Sequence, residues 1–281
     1  MFRPSDAIID AFVARLIANY RQLFSHLEPD CAPAIEATAR LALDRISGTD
    51  AFYHDIHHTI RVVDVGQAIL RGMSVARALL PSDWLHFTNA TLLHDIGYLR
   101  DICPGDDAEG QVIDEEGNKV RLPRGSTDAF LAPWHVDRGQ IFVRDRLGPR
   151  GYIDAERLCR AIEMTRFPIP EEEPYTDTEG EAALVRAADL IGQLADPDYP
   201  RKLTALYTEF RETGLADRLG YRDAADLAER HPQFFWNTVE PYIGPALCHL
   251  QRTGEGRVWI AHLYAHVFVE ERLRPRLGPQ R

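Results

Sequence analysis

Two short stretches, Tyr53-His54-Asp55-Ile56-His57-His58 and Leu92-Leu93-His94-Asp95-Ile96-Gly97, concentrate side chains that bind divalent cations. Far downstream, Asp189 stands inside the apolar run Ala187-Ala188-Asp189-Leu190-Ile191. Imidazole nitrogens and carboxylate oxygens are the donors that hold a hard or borderline divalent metal, so the set predicts a centre with His58, His94, Asp95 and Asp189 as ligands. The setting sharpens that expectation. A histidine and an aspartate side by side within Ala90-Thr91-Leu92-Leu93-His94-Asp95-Ile96-Gly97 are costly to bury unless each is satisfied, and a shared cation satisfies both. His58 heads a stripe with Val62, Val65 and Ile69 at helical spacing, which aims it at the core. On the Asp189 face, Arg186 comes three residues before and Gln193 four after, placed to orient the carboxylate or to contact a substrate oxygen.

The elements that must position these groups read as helices, because apolar residues recur at three and four while proline and glycine fall between segments. The pattern predicts helices over about 6–27, 32–46, 57–71, 83–96, 134–147, 154–164, 179–195, 200–213, 222–229, 232–250 and 256–273, an all-α protein. His54 and His58 share a face if their helix begins by Tyr53. The His94-Asp95 helix is expected to start with Ser82 as N-cap after Pro81 and to stop at Gly97. Residues 103–132 interrupt the pattern with Pro, Gly and Asp, and Val112 to Val120 suit a short hairpin. Leaving directly from the His94-Asp95 helix, this insertion is expected to act as a lid. The proline- and glutamate-rich stretch from Phe167 to Thr178 reads as a second pocket edge or as a solvated connector.

Composition bounds the remaining possibilities. A chain of 281 residues with 45% hydrophobic and 27% charged residues suits one soluble globular domain. No run approaches a membrane span, and Met1 to Asp6 lacks the order of a signal peptide, so a cytoplasmic protein is expected. Cys31, Cys103, Cys159 and Cys248 form no Cys-x-x-Cys pair and read as reduced thiols. A net charge of −11 argues against duplex nucleic acid as a partner, while a small anionic substrate remains compatible because a metal reverses the local field. The helix Arg257 to Glu270, apolar on nearly every side, reads as core or as a homodimer contact, and His262 with His266 as packed histidines.

The order His58, then His94-Asp95, then Asp189 resembles the ligand order of the HD-domain superfamily of metal-dependent phosphohydrolases. The resemblance spans about 50–200, and implies an HD helical core with N-terminal helices over 1–49 and a C-terminal helical extension over 201–275. Tyr53-His54-Asp55-Ile56-His57-His58-Thr59 is similar to the Tyr-His-Asn-x-x-His-Ala signature of class I cyclic nucleotide phosphodiesterases, which implies His54 as the general acid that protonates the leaving oxygen. Asp55 departs from the asparagine of that signature, Arg61 from an aspartate, and Ile96-Gly97 from Val-Asp-His. Two-metal HD enzymes carry two further histidines; His135 fits the first, as a second-metal or substrate ligand, and Thr165 stands where the second is expected. The segment His231 to Trp236 echoes the purine-clamping stretch of the phosphodiesterases only weakly, and Phe234 reads as core.

These features predict hydrolysis of a small phosphomonoester or phosphodiester, such as a nucleotide or cyclic nucleotide, by water activated on a divalent ion: Mn, Mg, Fe, Co, Ni or Zn. Asp95 is expected to bridge a second ion or to accept the proton of that water, and Arg138, Arg166 and Arg186 are candidates to hold phosphate oxygens. A diiron oxygenase of HD type, and a non-catalytic HD-fold sensor, are the alternatives.

Overall fold

The computed structural model describes residues 3–273, and its regular structure is almost wholly helical. Helices α1 (Pro4–Phe24) and α2 (Cys31–Ile46) precede α3 (Ile56–Ala76) and α4 (Pro81–Leu93). After an insertion come α5 (His135–Leu147), α6 (Ala155–Glu163), α7 (Glu181–Leu194) and α8 (Tyr199–Glu212). The short α9 (Leu215–Leu219), α10 (Ala224–Glu229) and α11 (His231–Phe234) lead to α12 (Glu240–Leu250) and α13 (Gly254–Phe268). The one sheet among the described residues is the antiparallel pair β1 (Gln111–Val112) and β2 (Lys119–Val120). The all-α reading holds. No helix among the described residues is long and apolar enough to cross a membrane.

Helix α3 is the spine, buried on all sides from Val62 to Leu70, as a helix wrapped by others must be. Helix α7 crosses it closely. A Cβ at Gly192 would lie 2.8 Å from Val62 Cα and 2.9 Å from Val62 N, so only glycine admits this backbone approach. The contact brings Asp189, one turn earlier on α7, opposite His58, one turn earlier on α3. On the other side of α3, Gln67 donates to Thr88 of α4 at 2.8 Å. One continuous apolar core runs from Ile9 in α1 to Val267 in α13 and joins the N-terminal and C-terminal helices to the centre.

The insertion between α4 and α5 is pinned down rather than free. Arg138, fully buried on α5, donates to Gly97 O at 2.9 Å, to Leu99 O at 2.7 Å, to Val112 O, and to the Asp106 carboxylate at 3.1 Å. Asp106 in turn accepts from the backbone of Ile102, Cys103 and Val112. The expected hairpin forms, but as an anchored side wall, and the expected lid is limited to its last turn, where Ala132 and Pro133 face the main cavity.

Other boundaries moved for identifiable reasons. Pro81 occupies the first turn of α4 with Leu80 as N-cap, and the Asp83 carboxylate accepts from Leu80 N at 3.2 Å, displacing Ser82 from the capping role. The stretch expected as one helix from 232 to 250 is broken by a π turn, Phe235–Val239. Helix α13 buries Trp259, Leu263 and Val267 along one stripe and leaves Val258 and Phe268 exposed. Cys31, Cys103, Cys159 and Cys248 are free thiols.

Gly192→Ala forces α7 away from α3 and is expected to lower stability by about 1–3 kcal/mol, the usual range for overpacking. Urea unfolding measures it, and an unchanged midpoint would show that the helices do not meet as closely as described.

Candidate metal centre

The chain enters α3 through a polar turn that fixes two histidines differently. Asp55 is the N-cap, and its Oδ1 accepts from His57 N at 2.9 Å and His58 N at 3.0 Å. The helix thus begins at Ile56 rather than by Tyr53, and His54 lies ahead of it. His58 turns inward and is buried, while His57 is exposed.

Helix α4 ends at Leu93, so His94 is its C-cap and Asp95 follows with φ −102° and ψ 6°. The expected continuation to Gly97 does not occur, and this matters. Neighbours in an unbroken helix point roughly 100° apart and do not face one another; the break lets His94 and Asp95 converge. His94 donates through Nδ1 to Thr91 O at 2.9 Å, which leaves Nε2 as a lone pair.

Four donor atoms then meet. His58 Nε2 lies 3.2 Å from Asp95 Oδ2 and 3.4 Å from Asp189 Oδ1. His94 Nε2 lies 3.1 Å from Asp95 Oδ2, 3.6 Å from Asp189 Oδ1 and 3.4 Å from His58 Nε2. Donors about 2.1 Å from the centre of a tetrahedron stand about 3.4 Å apart, so these edges match the frame of a small divalent cation. Asp95 Oδ2 supports the same fit: it is buried, 3.2 Å from His58 Nε2 and 3.1 Å from His94 Nε2, without a well-formed hydrogen bond to either. If both rings are neutral and turn lone pairs inward, such an oxygen is uncompensated until a cation lies between the donors.

The electrostatics agree. Burial alone disfavours a charged imidazole at His58, but the Asp189 and Asp95 carboxylates override it and raise its pKa to about 9. His94 is held well above the usual range against the same desolvation, by Asp95 and then Asp189. Reciprocally, burial would raise both carboxyls, yet the histidines keep Asp95 well below the carboxylate range and Asp189 down to about 2. The two carboxylates call for positive charge.

A second position is half-built. A Cβ on Gly97 would fall 1.8 Å from His135 O, so glycine lets the chain after Asp95 press against α5. His135 donates through Nδ1 to Ala132 O at 2.6 Å, and its Nε2 lies 3.8 Å from Asp95 Oδ1. Burial lowers its pKa, so the ring is neutral and able to ligate. Thr165, where a further histidine is needed, is buried with its hydroxyl on Ile162 O.

Beside the cluster stands a dyad that sequence reasoning half missed. His54 Nδ1 meets Glu209 Oε2 at 2.5 Å, and Glu209 Oε1 accepts from Tyr53 N at 2.6 Å and His54 N at 3.3 Å. Burial would raise the Glu209 carboxyl, but His54 and these backbone donors hold it below its usual value, as a carboxylate. Tyr98 stacks on His54 at 4.4 Å and packs on His135 at 4.5 Å, closing the gap between them. His54, His58 and Asp95 each place a donor atom within 4.8 Å of one another. The signal for Glu209 was present, since it extends the buried stripe Tyr199, Leu203 and Leu206 on α8, where a charge has no solvated role.

One cavity adjoins all of this, lined by His54, Asp95, His135 and Asp189 among others. The arginines behave differently from expectation. Arg138 does not line this cavity, and its guanidinium is spent on the insertion, which removes it from the substrate-binding set. Arg186 does line the cavity, but it donates to Tyr175 O at 2.7 Å and to Asp177 O at 2.5 Å, with its guanidinium 4.3 Å above Tyr242. Arg166 is paired with Glu163 and Asp137. Gln193 lines the cavity as expected, and so does Phe167 from the connector. Arg218, not anticipated, is exposed at the cavity and makes no ion pair among the described residues.

The chain belongs to the Npun_R2479-like family, whose profile matches residues 2–273. No curated protein matches the chain, and no solved structure does.

Purified protein stripped with chelator is expected to take up Mn²⁺ at one tight position. His94→Ala and Asp189→Ala should abolish that uptake while His135→Ala retains it, as read by calorimetry and elemental analysis. Undiminished uptake by both of the first two variants would show that the four donors do not share an ion.

Proposed function

We propose that this Npun_R2479-like protein is a metal-dependent phosphohydrolase acting on a small phosphomonoester or phosphodiester. The observation that carries the reading is the His54–Glu209 pair, which lines the same cavity as Asp95 and Asp189, with His54 offering a donor atom within 4.8 Å of those of His58 and Asp95. A divalent ion there supplies Lewis acidity, making a water nucleophilic near neutral pH and offsetting charge on the phosphate oxygens.

The protein groups around it do the rest. Glu209 fixes the ring of His54 through Nδ1, so that Nε2 faces the cavity and hands a proton to the leaving oxygen as its bond to phosphorus breaks. Tyr98, stacked on that ring, limits its rotation. The arrangement divides labour between a donor cluster that binds and a mostly buried imidazole that transfers a proton. The resemblance of Tyr53 to Thr59 to the phosphodiesterase signature points to the same role for His54.

A second reading, an iron-dependent oxygenase, draws support from His135, whose neutral Nε2 faces Asp95 Oδ1 at 3.8 Å. Thr165 in place of a further nitrogen donor weighs against it. Protein purified without added iron, colourless and iron-free, would discard it.

Hydrolysis of p-nitrophenyl phosphate and of its bis ester, with Mn²⁺, Mg²⁺, Co²⁺, Ni²⁺ or Fe²⁺, tests the main reading. His54→Gln is expected to lower kcat by about 10²- to 10⁴-fold while leaving metal content unchanged. Glu209→Gln should give a partial loss with an altered pH profile, and His94→Ala should lose metal and activity together. Activity that survives His94→Ala and Asp95→Ala rejects the assignment.

A further inference from the structure

The cavity continues well past the donor cluster, and its far part has a different character. From Asp189 it follows α7 to Leu190 and Gln193, then passes Tyr199 to reach His231 at the start of α11. Its walls there are apolar, with Leu206 and Phe210 from α8 facing Phe167 and Phe234. The whole cavity, donor end included, has a volume of about 120 Å³, which restricts it to a small molecule.

Two polar groups along this path are committed to backbone carbonyls: Thr165 donates to Ile162 O, and Thr213 to Glu209 O and Phe210 O. His231 is not: it is 97% buried, lines the cavity, and neither of its ring nitrogens has a hydrogen-bond partner among the described residues. It packs on the Tyr199 ring at 5.4 Å. Burial, then His266, lowers its pKa to about 4, so the ring is neutral and offers one donor and one acceptor. Buried polar atoms left open in this way are costly, and a ligand atom that reaches them removes the cost.

We propose that the cavity binds a small three-part molecule: an anionic, oxygen-bearing head at the His58, His94, Asp95 and Asp189 cluster, a ring-sized apolar body between α8 and Phe167, and one hydrogen-bonding atom that meets His231. The head rests on the phosphohydrolase reading; the body and the far contact do not. A purine nucleotide fits poorly, because base, ribose and phosphate together exceed a cavity of about 120 Å³. The substrate class is therefore an aryl or short-chain phosphoester with a distal hydroxyl, amine or carbonyl.

Calorimetric titration of the Mn²⁺-loaded protein with methylphosphonate, phenylphosphonate, 4-hydroxyphenylphosphonate and AMP tests this. Phenylphosphonate is expected to bind at least about tenfold tighter than methylphosphonate, since the ring leaves water for an apolar wall. The para hydroxyl should add a further increment, and AMP should bind more weakly than either aryl compound. His231→Leu is expected to erase the hydroxyl increment and keep that of the ring. Equal affinity for the methyl and phenyl compounds, or tightest binding by AMP, overturns the proposal; so does a hydroxyl increment that survives His231→Leu. Phenol, observed by saturation-transfer NMR, separates the two readings. It has ring and hydroxyl but no anionic head, so it should bind with or without metal and lose affinity in His231→Leu, even if the protein proves to hold no ion and every phosphonate fails.

Discussion

Two carboxylates and two imidazoles, three of the four groups buried, with ring nitrogens 3.1–3.6 Å from carboxylate oxygens, are the constraint around which this fold is arranged. Such a set is unfavourable on its own, because desolvation penalises each charge and the two carboxylates repel. The structure tolerates it by mutual shielding: the histidines are driven toward their protonated forms and the aspartates away from theirs. In the proposed reading a cation would do the same with better geometry, beside the buried Asp95 Oδ2. The close approach at Gly192, the early stop of α4 at Leu93 and the Asp55 cap each serve to bring one of these groups to the common point.

Around that point the histidines differ in what holds their rings. His94 and His135 each tie Nδ1 to a backbone carbonyl and present Nε2 inward. His54 instead ties Nδ1 to a carboxylate, the arrangement on which the proposed acid role rests. Tyr98 packs between His54 and His135 and keeps the two rings apart.

The helical content and the convergence of His58, His94, Asp95 and Asp189 were legible in the sequence because both rest on short-range patterns: apolar periodicity, and polar residues stranded in apolar runs. What was not legible depended on long-range packing. Glu209 lies outside the region that resembles the HD core, so nothing local tied it to His54. Arg138 looked like a phosphate ligand by its type and its place on the helix of His135, yet the insertion folds back and captures it through Gly97, Leu99 and Asp106. Ser82 lost its capping role to Leu80 because Pro81 suits the first turn of a helix. His231 gave only the weak echo of a purine-clamping segment, since a histidine before a proline at a helix start is ordinary until its surroundings prove dry.

The π turn at Phe235–Val239 separates α11, at one end of the cavity, from α12. Phe235 and Val239 are fully buried in the core, where α12 is locked through Ile243, Ala246 and Leu250. Cavity-facing positions on α9 to α11 can therefore change shape and polarity without altering α12, whereas α8 is held to its sequence by Glu209, the partner of His54.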